Sequence, residues 1–290
     1  MPAGRRIVTG LAVALGAGAA IAVIAVWIAQ SRWDAATRAL QARLAAQAAG
    51  AAPYAEAQLS ALPAPVQRWL RRTLAEGQRA IVRARVHWAG EFNLGAPGAD
   101  RWVPFTAVQD FVPGAPGFVW DARMRMAPGV TVRVRDALVD GRGQMRGAIL
   151  GLLPVVDKAG SEALATASLR RYLGEAVWFP TALLPQAGVR WTALDASRAL
   201  ATIGVAPREV AVEFRFGADG RPAGMYVARH TYDNGRDPPS EHPWQGRYLA
   251  FAKADGIEVP ADAVVEWLFP QGAWAYWKAR AVRIEYAYAR

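Results

Sequence analysis

Two hydrophobic patterns divide the chain. Residues 7–29 are 23 consecutive uncharged and mainly apolar residues. From Ala80 onward, apolar and polar residues alternate in short runs, which is the period of half-buried β-strands. The sequence therefore predicts one apolar N-terminal helix followed by a mainly β domain.

The apolar segment is long enough to span a membrane. A helix of 23 residues is about 35 Å long, and a bilayer core is about 30 Å thick. Arg5 and Arg6 precede the segment, which favours a cytoplasmic N-terminus. Trp27 and Trp33 lie at its far end, where indole rings favour the membrane interface. A cleaved signal peptide stays open as an alternative, because Val23–Ala25 resembles a weak cleavage site.

Three arginines beyond the segment reduce the charge bias across it: Arg32, Arg38 and Arg43. We still expect a single-pass protein of a bacterial cytoplasmic membrane, with its domain on the extracytoplasmic side. We divide the chain into an anchor (1–30), a helical stalk or linker (31–61) and a β-rich globular domain (62–290).

Alternation continues through the first strands of the domain. Residues 118–126 and 130–135 alternate on either side of Ala127–Gly129. A three-residue loop there would place Asp121 opposite Arg135 and Arg123 opposite Arg133. A helix over 162–177, capped by Ser161, then interrupts the strands.

Strand patterns resume at Val189 and continue to Tyr288. Counted together, the strands before and after the helix number about 11, and their turn spacing predicts a curved antiparallel sheet or open half-barrel with a helical insertion. Gly147–Pro154 lacks alternation and is expected to be irregular. Gly141–Gly147 superficially resembles a dinucleotide fingerprint with a late third glycine, and we interpret it as a turn.

Composition excludes some chemistry. There is no cysteine, so disulfides and thiolate metal sites are excluded. Net charge is +10, yet 31 of the 34 basic residues are arginine and no long run of like charge occurs. Compositional bias explains this better than nucleic-acid binding, for which we predict no role. The three histidines lack metal-site spacing, and we predict no metal and no cofactor.

An arginine ladder is the most distinctive pattern. Six arginines on the polar side of three strands would share one sheet face: Arg83, Arg85, Arg123, Arg125, Arg133 and Arg135. They would bind an anionic ligand. Alternatively they form the wet face of an antiparallel sheet, relieved by Asp121 and Glu91.

Glu175 precedes the aromatic segment Trp178–Pro185. If it were buried, its pKa would rise and it would suit general acid–base catalysis, with Asp121 or Asp157 as a partner. The alternative is a surface ion pair with Arg171, four residues earlier.

Several runs resemble a known bacterial family. They are VWDARMRM, VDGRGQMRGAILGLLPVVD and RRYLGEAVWFPTALLP, and the resemblance covers about Leu62 to Tyr288. The family is known only as a domain of unknown function, so it implies no activity or site residues. The element order also resembles the lipoprotein-carrier half-barrels, in which helices cover an apolar hollow.

We therefore expect a membrane-anchored envelope protein that binds or shuttles a lipid-like or amphipathic ligand. The predicted ligand-binding residues are Trp120, Asp121, Arg123, Met124, Arg135, Glu175, Trp178, Phe179 and Leu183. Two alternatives remain: a hydrolase that uses Glu175 and an aspartate, or a scaffold that binds another envelope protein through a sheet edge or an apolar patch.

Overall fold

The computed structural model describes residues 3–205, 207–235 and 237–290, with side chains from residue 15 on except that of Val205. Three α-helices occur there: α1 Ala3–Ala45, α2 Ala64–Thr73 and α3 Glu162–Glu175. Short 3-10 helices cover Glu56–Leu59, Ala176–Trp178, Pro180–Leu183 and Pro185–Ala187. The side chains of Arg5 and Arg6, which carry the orientation prediction, lie outside the described part.

Most of the described strands form one antiparallel sheet. Its thirteen strands follow the order β6-β5-β4-β3-β2-β1-β15-β14-β11-β10-β9-β8-β7, and β12 and β13 form a separate hairpin. The strand bounds are β1 Ile81–Asn93, β2 Trp102–Val112, β3 Gly117–Ala127, β4 Val130–Val139, β5 Arg142–Ile149, β6 Leu153–Ala159, β7 Arg190–Ala193, β8 Arg198–Val205, β9 Arg208–Phe216, β10 Pro222–Tyr232, β11 Ser240–Tyr248, β12 Phe251–Ala254, β13 Ile257–Pro260, β14 Asp262–Phe269 and β15 Gly272–Tyr288. Because β6 and β7 are not paired, the sheet is an open half-barrel, as the sequence predicts.

The predicted register of β3 and β4 is confirmed. Asp121 lies opposite Arg135, and Arg123 lies opposite Arg133. The expectation of a turn over residues 141–147 is wrong, because most of β5 lies there, and the segment 147–154 is irregular only at the β5–β6 turn, residues 150–152. A Cβ at Gly143 would lie 2.9 Å from the backbone of Leu164 and Ala165. This glycine therefore allows α3 to approach a strand.

The concave side of the sheet is filled by α3 and the 3-10 helices that follow it. The Trp178 ring meets Trp88 edge-on at 4.9 Å, and its Nε1 donates to the Pro260 carbonyl at 2.8 Å. Phe179 packs on Phe111 with ring centroids 4.5 Å apart. Trp178, Phe179 and Leu183 are at most 3% exposed, so they belong to the packed core.

The second half of α1 lies along the convex face of the sheet. Trp33 Nε1 donates to Asp121 at 2.8 Å, and Arg135 Nη1 donates to Thr37 Oγ1 at 2.9 Å. Further along, Leu44 packs into a small apolar cluster with four sheet residues: Val112, Val119, Ala137 and Val139. Residues 31–44, predicted as part of a stalk, are therefore packed against the domain.

The two ends of the sheet differ. Antiparallel pairing brings the turns at 94–101, 128–129, 150–152 and 270–271 to one end. At the opposite end, where α2 packs, Ile81 N–H donates to Thr181 Oγ1 at 2.9 Å. On the concave face Trp88 is 2% exposed while Phe92 is half-buried. We call the first end the open end and the other the closed end.

Candidate functional site

On the concave face at the open end a group of inward side chains is only half-buried, and we call this part of the face the recess. Half-buried apolar and aromatic side chains form its walls: Phe92, Met126, Val132, Val134 and Tyr276. Phe92 and Met126 lie near the ends of β1 and β3, Val132 and Val134 lie near the start of β4, and Tyr276 lies on β15, the neighbour of β1. The helices that fill the closed end do not bury these side chains fully. Apolar surface of this kind on a concave face is typical of ligand pockets.

A bulge in β15 supplies two of the aromatic rings. In the pairing of β14 with β15, Val265 lies opposite Trp277 and the next residue, Glu266, lies opposite Ala275. Tyr276 is therefore the extra residue of the bulge. Tyr276 and Trp277 consequently both make concave-side contacts. Tyr276 meets Phe92 at 5.7 Å between ring centroids, and Trp277 meets Trp88 at 5.3 Å. Bulges commonly re-aim side chains in this way.

A polar cluster forms the floor of the recess. Arg171 Nη1 donates to Asp136 Oδ2 at 2.6 Å, and Arg171 Nε donates to Glu175 Oε1 at 2.9 Å. Gln109 Nε2 donates to the other Glu175 oxygen at 2.8 Å. The guanidinium carbon also lies 5.4 Å from the Trp120 ring centroid. We call Gln109, Asp136, Arg171 and Glu175 the floor cluster.

The floor cluster is largely but not fully buried. The side chains of Arg171 and Glu175 are 21% and 17% exposed, and that of Asp136 is 7% exposed. Burial raises the pKa of both Glu175 and Asp136, and Arg171 only partly opposes this effect. One cation between two such carboxyls gives no net positive charge, so the floor does not favour a carboxylate or phosphate ligand.

Two buried polar atoms at the floor have no hydrogen-bond partner among the described residues: Trp120 Nε1 and Asp136 Oδ1. Trp120 and Asp136 are directly opposite each other on β3 and β4. Cross-strand partners have Cβ atoms roughly 5 Å apart. The residues that carry the unpaired donor and the unpaired acceptor are therefore cross-strand neighbours, and a hydroxyl or amide group complements both atoms.

His230 lies further along the concave face, on β10. Its ring stacks on Trp244 at 4.5 Å and on Trp267 at 5.4 Å between centroids. Burial, with a smaller effect from Arg170, lowers the pKa of His230 to about 3. The imidazole is consequently neutral at physiological pH and acts as a flat aromatic side chain.

The arginine ladder lies on the convex face, where much of it contacts protein groups. Arg133 is 1% exposed and donates to Asp34 of α1 at 2.9 Å and to Asp121 at 2.8 Å. Arg83 and Arg85 both bind Asp110. Arg123 and Arg125 are exposed. Most of the ladder therefore holds α1 or pairs within the sheet.

The nine predicted ligand-binding residues lie in three places. Glu175 belongs to the floor cluster, and Trp120 and Met124 are buried core side chains beneath the recess. Trp178, Phe179 and Leu183 are in the packed core described above. The remaining three lie on the convex face. Asp121 and Arg135 are beneath α1, and Arg123 is exposed beside it. The structure therefore does not bring the nine together, and their binding role stays a prediction.

Sequence analysis missed two polar residues of the floor. Gln109 and Asp136 occupy inward positions in otherwise apolar alternations, between Ala107 and Phe111 and between Val134 and Leu138. A polar residue at such a position was the available signal. Arg171 was considered only as a surface partner of Glu175, but its side chain lies inside the half-barrel.

The carboxylate pair of the hydrolase alternative is not formed. Asp121 contacts α1 on the convex face, whereas Glu175 lies on the concave side. Asp157 is on the edge strand β6 and pairs with Arg146 at 3.0 Å. The carboxylate that does approach Glu175, through Arg171, is Asp136.

Two surface hollows lie apart from the recess. One of 430 Å³ includes Asp219, Arg221 and Tyr248, and one of 480 Å³ includes Asp140, Glu162 and Arg208. Arg221 is paired with Glu258 and Arg208 with Glu162. Among the described residues, no group of three or more His, Cys, Asp or Glu side chains is placed to hold a metal ion.

The fold and the recess define an open antiparallel half-barrel with an apolar N-terminal helix. Residues 52–279 match the family model described as a family of unknown function (DUF6544), and the chain belongs to that family. The resemblance noted from the sequence runs is thereby confirmed. No curated protein matches the chain.

Three solved structures are similar to this chain. A DUF1329 family protein from Desulfovibrio piger has 13% identity and a TM-score of 0.33, and the match covers 71% of this chain and 86% of that protein's chain. A β-barrel-like DUF1849 protein from Brucella abortus has 9% identity and a TM-score of 0.24, covering 72% and 99%. A LolA superfamily protein from Nitrosomonas europaea has 13% identity and a TM-score of 0.29, covering 72% and 86%. Similarity at this level does not transfer a ligand or an activity.

Proposed function

We propose that this protein is a membrane-anchored envelope protein that binds a lipid-like or amphipathic ligand in the open-end recess. The observation that carries the proposal is the combination of half-buried apolar walls with a polar floor. A ligand with an apolar body would bury wall surface at about 25 cal/mol per Å². A polar terminal group would meet the floor.

The floor selects the polar group of the ligand. Asp136 and Glu175 flank Arg171, so an added anion would meet two carboxyls together with the guanidinium. A hydroxyl or amide would instead complete the hydrogen bonds of Trp120 Nε1 and Asp136 Oδ1. The proposed ligand is therefore neutral at its buried end, in contrast to the anionic head group considered from the arginine ladder.

The membrane location rests on α1. In the described part of the chain it is the one helix long and apolar enough to cross a membrane, with a mean hydropathy of 1.4 over an 18-residue stretch. In the proposed arrangement it stays attached as an anchor, with the domain on the extracytoplasmic side of a bacterial cytoplasmic membrane. The arginines that precede the apolar run support this orientation.

Native mass spectrometry of the full chain tests the binding proposal. The protein would be released from its own membranes in mild detergent and then challenged with a long-chain alcohol and the fatty acid of equal length. We expect a bound species with the alcohol and less with the acid at pH 7.5, because the carboxylate is disfavoured at the floor. A protein that takes up neither probe and carries no native amphiphile would contradict the proposal.

A further inference from the structure

Exposed apolar side chains are concentrated at the open end, around the turn between β5 and β6. Leu152, Leu153 and Val155 are 43%, 63% and 51% exposed. Val130, next to the β3–β4 turn, and Leu94, next to β1, are each 37% exposed. With a strand spacing of about 4.8 Å, the tips from β6 to β1 span roughly 24 Å of one sheet edge. We call these five residues the apolar tip row.

Contacts between α1 and the sheet show where this row lies relative to the apolar segment, residues 7–29, of the same helix. A Cβ at Gly151, in the β5–β6 turn, would lie 3.4 Å from Ala29 and from the Gln30 side chain. Ala29 is the last residue of the uncharged run. Gln30 Oε1 accepts from Arg133 Nη1 at 2.7 Å, and Trp33 anchors the next turn. The tip row is therefore level with the end of the membrane-length segment.

We propose that the apolar tip row inserts into the surface of the bilayer that α1 crosses, so that the recess opens onto lipid. The proposal rests on membrane anchorage by α1. Exposed apolar residues beside a membrane span gain free energy at the interface. Exposed arginines at the same end, Arg32, Arg123 and Arg125, would meet anionic head groups, which attract basic residues by about 1 kcal/mol each.

A protein partner fits this edge less well than a bilayer. Strand β6 is an edge strand with Leu153 and Val155 exposed, and an edge of this kind can add a strand from another chain. Pro154 stands between them and lacks an N–H, which weakens such pairing. A bilayer surface needs no backbone donors.

Site-directed spin labelling of the full chain in nanodiscs of phosphatidylethanolamine and phosphatidylglycerol tests the proposal. The chain has no cysteine, so single substitutions can be labelled directly. Three variants form the set: Leu153→Cys in the tip row, Leu194→Cys at the closed end, and Val23→Cys in α1. Leu194 and Val23 are 44% and 68% exposed, so none of the three substitutions disturbs the core.

We expect the labels at positions 153 and 23 to be more accessible to oxygen than to a water-soluble nickel complex, and the label at 194 to show the reverse. A nickel-accessible label at 153, with lipid exposure retained at 23, would overturn membrane contact and leave the anchor in place. A nickel-accessible label at 23 would overturn the anchor as well. Neither result depends on a ligand in the recess, so failure here is distinct from failure of the binding proposal.

Discussion

At the scale of single residues, Arg171 is the charge that the floor cluster depends on. Replacement by methionine keeps much of its length but leaves Asp136 and Glu175 without their cation. We expect Arg171→Met to lower the free energy of unfolding by about 2–3 kcal/mol at pH 7.5, below the roughly 3–5 kcal/mol of a fully buried pair because the side chain keeps 21% exposure. Urea unfolding in detergent would measure it.

The pH dependence of the stability of Arg171→Met shows whether the lost charge or the lost packing destabilises it. Once Arg171 is gone, the raised pKa values of Asp136 and Glu175 rise further, so both carboxyls protonate at mildly acidic pH. The deficit against the wild type should therefore shrink from pH 7.5 to pH 5. Arg125→Met, at an exposed position, is the matched control. An equal deficit at both pH values would mean that packing alone is lost.

His230 predicts a pH effect on stability. Its pKa in the folded protein is lowered to about 3 from 6.5, so the unfolded chain binds more protons as the pH falls below about 6.5. This group therefore stabilises the fold above that pH, and its contribution falls by about 2 kcal/mol between pH 7.5 and pH 5. His230→Gln, which does not titrate, should lose less stability over that range. Equal losses in thermal melts would contradict the burial of a neutral imidazole.

The residues that carry the site were only partly predictable. Alternation placed Trp120 and Met124 on the apolar face, and the concave face is where they lie. Glu175 was identified as a candidate buried carboxyl, and burial does raise its pKa. Asp136 was not identified as a site residue: its polar side chain at an inward position was a signal, but its partner Arg171 is 35 positions away and no local pattern links the two.

At the scale of elements, the docking of α1 is the feature that defines the orientation of the domain. Trp33 is 9% exposed and lies beneath two guanidinium groups, with Arg135 at 4.7 Å and Arg133 at 5.5 Å from its ring centroid. We expect Trp33→Ala to lower the free energy of unfolding by about 3 kcal/mol and to speed amide exchange over residues 30–44. Hydrogen–deuterium exchange by mass spectrometry measures the second effect.

Arg38→Ala is the matched control for this prediction, because Arg38 is exposed on the same helix. It should leave both stability and exchange close to the wild type. Unchanged exchange in Trp33→Ala would mean that α1 does not depend on this contact for its position. Local composition predicted the helix but not its docking, because the helix has a thin apolar face and its partners are buried arginines of the sheet.

The β5–β6 hairpin shows a second limit of local patterns. Glycines at 143 and 147 broke the apolar alternation and favoured a turn. Gly143 is needed because α3 packs at that point, and Gly147 lies opposite Val156 of β6. Tertiary packing therefore decides the conformation there, and the hairpin so formed carries the exposed residues of the open end.

At the scale of the whole molecule, one asymmetry organises the structure. Helices fill the closed end, the recess lies at the open end, and the apolar run of α1 leaves the domain at that same end. Turn spacing and strand alternation predicted the half-barrel. The asymmetry was not predictable from the sequence, because it depends on which end of each strand the inserted helix α3 covers.

Ligand uptake by two neighbouring variants tests the central claim most directly. Val132→Glu places a carboxylate in the recess, and Thr131→Glu places one on the convex side of the same strand; both positions are half-buried. With tryptophan quenching by a brominated long-chain alcohol as the measurement, we expect Val132→Glu to abolish saturable quenching and Thr131→Glu to retain it. Equal binding by both variants, each folded by thermal melt, would contradict a ligand site in the recess.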